Sequence, residues 1–219
     1  MPTSLIISKI VSRLFAENAY LAHIHGRQGC IVIDPGLNPA EILTEISRQD
    51  LLPAAILNTH GHADHIAGNA AIKAEFPDCP IIIGQQDAPK LLNAEENLSA
   101  AFGNSIISPP ADRLVVEGDR IEAAGIELLV IDTPGHSQGH VVFLYSGTQP
   151  WTLFGGDVLF QGSIGRTDFP DGNHADLLRS IRDKLFTLPP DTIVLPGHGE
   201  PTTIGEEMRH NPFVGRGGV

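Results

Sequence analysis

Short apolar runs bounded by Gly, Pro and Asp predict that the first part of the chain is rich in strands. One segment, 39–49, differs because Ile42, Leu43 and Ile46 recur at the spacing of a helix face. The predicted strands are 5–11, 20–25, 30–34 and 54–57. The middle of the chain is more helical, with a helix over 66–76 entered at Asp64, a short buried strand over 81–83 and helical pieces over 87–101. This order predicts a mixed α/β fold.

A period of two returns at residue 114 and predicts a second sheet. Its predicted strands are 114–116, 120–123, 126–131, 141–145 and 152–154, and 192–195 closes the pattern as a last strand. Before that strand, Leu177, Leu178, Ile181 and Leu185 predict a helix over 175–186. The chain therefore reads as strands followed by helix, twice over.

The composition is that of a globular protein that can bury one substantial core. Of the 219 residues, 42% are hydrophobic and 18% are charged, and no linker or repeat interrupts them. We predict one domain over 1–219, in which 199–219 form a short C-terminal tail. The formal net charge of −12 opposes binding to nucleic acid, which calls for clustered Lys and Arg. We expect no nucleic-acid partner.

The cysteines and the N-terminus indicate the compartment. Cys30 and Cys79 lie in apolar surroundings, which favours buried free thiols over a disulfide framework. Segment 1–11 has no charged region before its apolar run, and no apolar stretch reaches membrane length. We expect a cytoplasmic protein without a membrane partner, and the sequence leaves its oligomeric state open.

A dense group of metal-binding side chains directly follows the predicted strand 54–57. Within seven residues, 59–65, the chain carries the three imidazoles of His60, His62 and His65 and the carboxylate of Asp64. Imidazole and carboxylate are the donors that Zn, Fe and Mn accept. Because a strand end is a place where a rigid scaffold can aim side chains, this segment predicts a metalloenzyme.

Three further donors stand in the same kind of place, just past a predicted strand. His136, Asp157 and His198 each follow an apolar run and lie in a turn that contains glycine. A glycine beside a ligand lets the backbone approach an ion and adopt dihedral angles that a Cβ atom would forbid. Chance placement of ten histidines rarely gives this arrangement.

In this order the motifs resemble those of the metallo-β-lactamase superfamily, and within it the hydroxyacylglutathione hydrolase (glyoxalase II) group. The resemblance rests on the His-x-His-x-Asp-His motif at 60–65 and on the three later donors, supported by segments 32–36, 133–137 and 162–169. It covers nearly the whole chain. It implies an α/β fold of four layers, an αββα sandwich in which two mixed β-sheets pack face to face and helices flank them.

The resemblance also implies a ligand set and a reaction. One metal ion would be held by His60, His62 and His136, a second by Asp64, His65 and His198, and Asp157 would bridge them. Two divalent ions, with zinc expected first and iron or manganese also accepted, can acidify a bridging water and polarise a carbonyl. The implied activity is hydrolysis of a small-molecule thioester by the bridging hydroxide, with a glutathione conjugate as one candidate substrate. Asp64 and Asp157 are then the catalytic carboxylates.

Other activities stay open at this point. Persulfide dioxygenases carry a loop similar to 165–169 and would use one iron held by His60, His136 and Asp157, but they tend to have Cys where this chain has Gly61. Hydrolysis of a different ester, thioester or lactam is also open, although zinc β-lactamases carry a Cys near the place of Asp157. The tail 199–219 is shorter than the helical glutathione-binding domain of full-length glyoxalase II enzymes. A non-catalytic scaffold is disfavoured because no ligand position is lost.

Three other polar residues have competing interpretations. Asp34 either orients a ligand histidine or begins a turn. His140, four residues after His136, has the same two interpretations, and the turn is favoured because Gly139 precedes it. Arg166 either contacts a substrate carboxylate or pairs with Asp168 or Asp171, and the pairing is favoured.

Overall fold

Two six-stranded sheets face each other in the computed structural model, which describes residues 4–103 and 105–215. The first sheet has the strand order β1-β2-β3-β4-β5-β6, made of β1 (Leu5–Val11), β2 (Asn18–Ile24), β3 (Gly29–Ile33), β4 (Leu52–Asn58), β5 (Ile81–Gly84) and β6 (Arg113–Val115). β2 is antiparallel to both β1 and β3, whereas β3, β4, β5 and β6 run parallel to one another. The sheet is therefore mixed.

The second sheet has the order β14-β13-β10-β9-β8-β7. It contains β7 (Arg120–Ala123), β8 (Ile126–Asp132), β9 (Val141–Tyr145), β10 (Thr152–Gly156), β13 (Ile193–Pro196) and β14 (Thr202–Thr203), and a separate hairpin is formed by β11 (Leu159–Phe160) and β12 (Ser163–Ile164). Neighbouring strands are antiparallel except for the parallel pair β10 and β13.

Helices cover the outer face of each sheet. They are α1 (Pro39–Arg48), α2 (Ala63–Ile66), α3 (Asn69–Glu75), α4 (His174–Arg179) and α5 (Ile204–His210), with 3₁₀ turns at Ala88–Leu92, Ser99–Phe102 and Leu185–Thr187. Leu21 and Val32 pack against Ile42 of α1 on one side, and Leu153 packs with Leu177 of α4 on the other. None of the described helices is long and apolar enough to cross a lipid bilayer.

The central layer lies between the sheets. Tyr20 and Leu57 of the first sheet and Phe143 and Phe154 of the second belong to one buried cluster. All seven residues of β2 are buried, because one face of the strand meets the second sheet and the other meets the helices. The layers are thus helix, sheet, sheet and helix, and the predicted αββα sandwich is confirmed.

Three predicted elements differ from the structure. The helix predicted over 66–76 is split into α2 and α3 at Gly68, whose N–H donates to Pro35 O at 2.6 Å and leaves no room for a side chain. The strand predicted over 114–116 joins the first sheet as β6, because it pairs with β5, so the second sheet begins at Arg120. The helix predicted over 175–186 is regular only to Arg179 and continues as a π turn, Ser180–Lys184.

The segment after residue 198, predicted as a tail, contains structure. Thr203 caps α5 by accepting a hydrogen bond from Glu206 N at 3.2 Å, and Ile204 is fully buried. Asn211 donates to Ser163 O at 2.9 Å, which ties the segment to the β11–β12 hairpin. The end of the predicted tail, 216–219, lies outside the described residues, and the prediction of one domain over 1–219 stays a prediction.

Candidate metal centre

The loops that carry the predicted ligands meet at one edge of the sandwich. In the second sheet, β8 and β10 are both antiparallel to β9, and β13 is parallel to β10, so the carboxyl ends of these three strands point the same way. His136, Asp157 and His198 follow those three ends. The segment 59–65 follows β4 of the first sheet. The structure therefore brings together all seven predicted ligands from four strand ends.

The seven side chains form overlapping groups whose potential ligand atoms lie within 4.8 Å of one another. The groups are His60, His62 and His136; Asp64, His65 and His198; and His60, His65 and Asp157. In the first group His62 Nδ1 lies 2.9 Å from His136 Nε2. In the second group Asp64 Oδ2 lies 3.3 Å from His198 Nε2. The first two groups contain the residues predicted for the two ions and are called the two half-sites below, while the ligand set and the binding of ions stay predictions.

Asp157 lies between the two half-sites. Its Oδ2 is 3.6 Å from His136 Nε2 on one side and 3.5 Å from His198 Nε2 on the other, and its Oδ1 is 3.5 Å from His65 Nε2. Gly197 makes this position possible, since a Cβ atom there would overlap Asp157 Oδ1. The carboxylate can therefore reach both groups at once.

The donor set fits metal ions because several buried nitrogen and oxygen atoms have no hydrogen-bond partner among the described residues. His60 Nε2, His65 Nε2 and Asp157 Oδ1 are buried and have no hydrogen-bond partner in the described part of the chain. Leaving a buried polar atom unpaired costs about 1–3 kcal/mol. A divalent cation bound by these nitrogens and oxygens would remove that cost. Imidazole and carboxylate together are a donor set suited to zinc or iron.

Hydrogen bonds on the far side of the rings fix their orientation. His136 Nδ1 donates to Arg166 O at 2.8 Å, and His198 Nδ1 donates to Phe15 O at 3.1 Å. His60 Nδ1 lies 3.1 Å from Thr59 Oγ1. With the proton on Nδ1, the lone pair of each ring is on Nε2 and faces the cluster.

Asp34 organises the half-sites from behind. Its Oδ2 accepts from Thr59 Oγ1 at 2.7 Å and from His65 Nδ1 at 3.1 Å, and its Oδ1 accepts from Thr59 N at 2.7 Å. Because Thr59 in turn contacts His60, one carboxylate positions two ligand rings. Of the two interpretations of Asp34, the orientation of a ligand histidine is the one that the structure supports.

His140 is part of the centre, and the expectation of a simple turn residue was wrong. Its ring stacks on that of His60 at 4.9 Å between centroids. Its Nδ1 lies 3.0 Å from Thr133 Oγ1, and its Nε2 accepts from Asp157 N at 3.1 Å. It supports the backbone of Asp157 and packs under His60, and its spacing of four residues from His136 was the only signal in the sequence.

Burial and mutual proximity set the charge of the donors. Burial, followed by the neighbouring His136, lowers the pKa of His62 to about 3, and burial lowers the pKa of His60 well below its usual value. Burial acts to raise the pKa of Asp64 and Asp157, but His65 and His198 together outweigh it, with His136 adding to the effect at Asp157, and both carboxyl pKa values are lowered. Burial acts to lower the pKa of His65, but the carboxylates of Asp64 and Asp157 outweigh it and the pKa is raised. The neutral rings of His60 and His62 beside ionised carboxylates are in the protonation states that bind a cation.

Asp87, which the sequence interpretation did not single out, holds two ligand loops together. It is fully buried and accepts from Gly61 N at 2.8 Å, Ser137 Oγ at 2.7 Å and Gly139 N at 2.8 Å. Lys90 Nζ balances its charge at 3.0 Å. Gly61 lies between His60 and His62, and Ser137 adjoins His136, so Asp87 connects both sides of the first half-site.

Glu17 is a second residue that the sequence interpretation missed. It is 1% exposed, and both of its carboxylate oxygens lack a hydrogen-bond partner among the described residues. Burial raises the pKa of its carboxyl group well above the usual value. Its backbone forms an isolated bridge with His198. A buried carboxyl group without a hydrogen-bond partner among the described residues therefore lies beside the second half-site.

A cavity of about 410 Å³ opens onto the cluster. His62, Asp64, His136, Asp157 and His198 form its base. Its volume falls in the range of small-molecule sites. Its walls come from the β1–β2 turn, the segment around Ser99–Phe102, the β11–β12 hairpin and the loop that contains Arg166.

Arg166 pairs with Asp168, as the sequence interpretation favoured. Its Nε and Nη2 donate to the two oxygens of Asp168, each at 2.7 Å, and its guanidinium lies 4.3 Å from the centroid of the Phe169 ring. Asp171 pairs instead with Lys90, at 2.6 Å.

A sequence profile described as the metallo-beta-lactamase superfamily matches residues 13–198. The chain belongs to the metallo-β-lactamase superfamily. It is 38% identical over 186 residues to GloC of Haemophilus influenzae, a hydroxyacylglutathione hydrolase. The alignment covers 84% of this chain and 86% of that protein. A probable metallo-hydrolase of Streptococcus pyogenes serotype M6 is 36% identical over 94% of this chain and 89% of its own length. The resemblance inferred from the motifs is confirmed.

Solved structures of superfamily members share both the fold and the sequence pattern. The BLEG-1 B3 metallo-β-lactamase aligns with a TM-score of 0.90 and 37% identity, covering 95% of this chain and 99% of that one. A protein designated TTHA1623, solved in a di-iron-bound form, aligns with a TM-score of 0.82 and 38% identity over 94% of this chain and 99% of that one. Superfamily relatives of this similarity thus include hydrolases and a protein with two bound irons.

Proposed function

We propose that the protein is a binuclear metallohydrolase that cleaves thioesters, of the hydroxyacylglutathione hydrolase type. The observation that carries the proposal is the position of Asp157 Oδ2, which lies 3.6 Å from His136 Nε2 and 3.5 Å from His198 Nε2. In this scheme His60, His62 and His136 would hold one ion, Asp64, His65 and His198 would hold the other, and both ions would share Asp157.

The chemistry of the bound ions is that of Lewis acids, which lower the pKa of water toward ~7 and polarise the substrate carbonyl. The chain supplies orientation. Asp64 and Asp157 line the cavity and are ionised, so their carboxylate oxygens can accept hydrogen bonds that orient the attacking water. The leaving group is a thiolate, whose conjugate thiol has a pKa of ~8.5, so its departure does not require protonation by a strong acid.

The comparisons support this proposal from two sides. GloC, at 38% identity, carries the name hydroxyacylglutathione hydrolase, which is a thioesterase name. TTHA1623 in its di-iron-bound form supports two ions and shows that iron is accepted in a relative. We propose zinc as the resident ion, with iron and manganese as alternatives, because the imidazole and carboxylate donors suit all three.

The compartment we propose is the reducing cytoplasm. Cys30 and Cys79 are free and buried. Burial raises the pKa of the Cys30 thiol to about 12 and that of Cys79 to about 11, so both thiols resist oxidation.

The experiment is an assay of thiol release from S-lactoylglutathione by metal-loaded protein under nitrogen. Hydrolysis without oxygen is expected, because water is the only co-substrate. Asp157→Ala should lower kcat/KM by about 10²-fold or more, since the carboxylate proposed to be shared by both ions is removed. Asp191→Ala, at an exposed position, is the matched control and should keep full activity. Oxygen uptake on glutathione persulfide with one bound iron would contradict the hydrolase and support a dioxygenase.

A β-lactam is the second candidate substrate, because BLEG-1 aligns over 95% of this chain with a TM-score of 0.90 and is titled a B3 metallo-β-lactamase. The same ionised carboxylates and hydrolytic water would open a lactam ring. A chromogenic cephalosporin assayed beside the thioester separates the two activities. Preference for the cephalosporin would replace the thioester in the proposal.

A further inference from the structure

The walls of the cavity beside the cluster are apolar. Leu14 and Phe15 come from the β1–β2 turn, Phe102 and Ile106 from the opposite segment, and Phe160 and Ile164 from the β11–β12 hairpin. Phe15 and Phe102 meet edge to face at 5.4 Å, although they are far apart in sequence. Leu14 is 77% exposed and Phe102 is 64% exposed. Apolar side chains gathered and left open to solvent beside a reactive centre mark a ligand surface.

This apolar surface begins at the ligand rings themselves. The Phe169 ring lies 5.1 Å from that of His62, and the Phe160 ring lies 6.3 Å from that of His198. Phe15 is fixed beside the second half-site because its carbonyl accepts from His198 Nδ1 at 3.1 Å. A group attached next to the reacting carbonyl carbon therefore contacts phenyl rings on both sides of the centre.

The walls offer little to the carboxylates of a glutathione conjugate. Among the lining residues that the structure describes, Arg166 is the only lysine or arginine, and both oxygens of Asp168 already pair with it. The other charged lining residues are Asp64 and Asp157, which belong to the proposed ligand set and offer no cation to a substrate carboxylate. A substrate carboxylate that contacts this surface loses hydration, and no unpaired lysine or arginine among the described lining residues compensates for that loss.

We propose that the substrate is a thioester with an uncharged, apolar chain next to the scissile bond, held between Phe15, Phe102 and Phe160. This inference rests on the thioester hydrolysis proposed above and narrows its substrate. A glutathione thioester can be turned over at the centre, but its peptide part gains nothing from these walls. The chain can belong to the acyl group or to the thiol, and the two sources share the same chemistry.

The test uses metal-loaded protein and two series of compounds. The first contains non-hydrolysable S-alkyl thioethers of N-acetylcysteamine, from ethyl to hexyl, whose binding is measured by calorimetry. The second contains thioesters whose kcat/KM is measured. Acetyl to hexanoyl thioesters of N-acetylcysteamine vary the acyl chain, and acetyl thioesters of ethanethiol to hexanethiol vary the thiol chain. S-lactoylglutathione is measured beside them. Affinity and kcat/KM should rise about two- to fourfold per methylene, the upper value corresponding to ~0.8 kcal/mol for each methylene buried.

Two variants test whether the dependence on chain length comes from the apolar walls of the cavity. Phe102→Ala should reduce the hexyl-to-ethyl affinity ratio by about threefold or more, because a lining ring is lost. Phe213→Ala removes a ring that is also exposed, at 49%, but does not line the cavity, and it should leave the ratio and the turnover unchanged. The thioester series that shows the length dependence identifies the acyl or the thiol side, and a dependence in either supports the proposal.

The outcomes separate this inference from the function on which it rests. The proposal of an apolar substrate would be overturned if binding and kcat/KM did not change with chain length. It would also be overturned if kcat/KM were higher for S-lactoylglutathione than for every alkyl thioester. Neither result would contradict thioester hydrolysis. Length-dependent thioether binding without thiol release from any thioester would overturn the proposed function and keep the cavity as an apolar ligand site.

Discussion

Asp34 Oδ2 accepts a hydrogen bond from His65 Nδ1 at 3.1 Å, and the same oxygen accepts from Thr59, which adjoins His60. One buried carboxylate thus determines the orientation of rings on both half-sites. Asp34 has a φ of 47°, a left-handed conformation that Asn also tolerates. The variant Asp34→Asn therefore keeps the turn and changes the acceptor.

We predict that Asp34→Asn weakens metal binding by about 10- to 100-fold, the usual effect of removing the partner of a ligand histidine. Competition with a chromophoric chelator measures the affinity. Asp50→Asn provides a control for the same substitution, because Asp50 also has a positive φ, 53°, and is exposed. Equal affinity in Asp34→Asn and the wild type would mean that Asp34 only shapes the turn.

Asp87 is predicted to be a main contributor to stability. It takes hydrogen bonds from Gly61, Ser137, Gly139 and Lys90 without any exposure to solvent. Asp87→Ala leaves these donors and a buried ammonium group short of a partner, so the free energy of unfolding should fall by about 3–5 kcal/mol. Urea unfolding of the metal-loaded protein measures it.

Asp171→Ala is the matched control for this prediction. Asp171 also pairs with Lys90, but its side chain is 28% exposed, so its removal should cost less, about 1 kcal/mol. If Asp171→Ala destabilises the protein as much as Asp87→Ala does, the stabilising contact is the pair at Lys90 and not the connection of the two ligand loops.

Asp112 should give stability that depends on pH. Its carboxylate accepts from Ile81 N at 2.8 Å and from Lys73 Nζ at 2.9 Å, and these hydrogen bonds lower its pKa below the usual value. A lowered folded-state pKa stabilises the protein above the unfolded pKa of ~3.9, and this contribution is lost as the pH falls through the folded value.

The wild type should therefore exceed Asp112→Asn in free energy of unfolding at pH 7, by less than ~1 kcal/mol because the side chain is 45% exposed. The difference should shrink below pH ~4, where the carboxyl group becomes protonated. Urea titrations at both pH values measure it. A difference of the same size at pH 7 and at pH 3 would show that the carboxylate charge plays no part.

The seven candidate ligands that the structure brings together could be found in the sequence because they follow strands in turns with glycine, which are local features. His136 and His198 could be recognised in this way without knowing which strands are neighbours. The sheet to which 114–116 belongs could not be recognised, because the pairing of β5 with β6 is a long-range contact that the period of two does not encode.

The residues that support the ligands were harder to find for the same reason. Asp87 binds Gly61 and Gly139, which are 26 and 52 positions away, and no spacing near Asp87 signals this. The apolar walls depend on a contact between Phe15 and Phe102 that only the fold creates. The caps of two helices did have unused local signals: the pair Thr203 and Glu206 at α5 and the pair Asn173 and Asp176 at α4.

The number of metal ions bound by each chain tests the central claim most directly. Elemental analysis of purified protein, after removal of loosely bound metal, should give about two divalent ions for the wild type and for the control Asp191→Ala, and fewer for Asp157→Ala because that variant loses the residue shared by both half-sites. A single ion in the wild type, or two ions retained by Asp157→Ala, would contradict a binuclear centre bridged by Asp157.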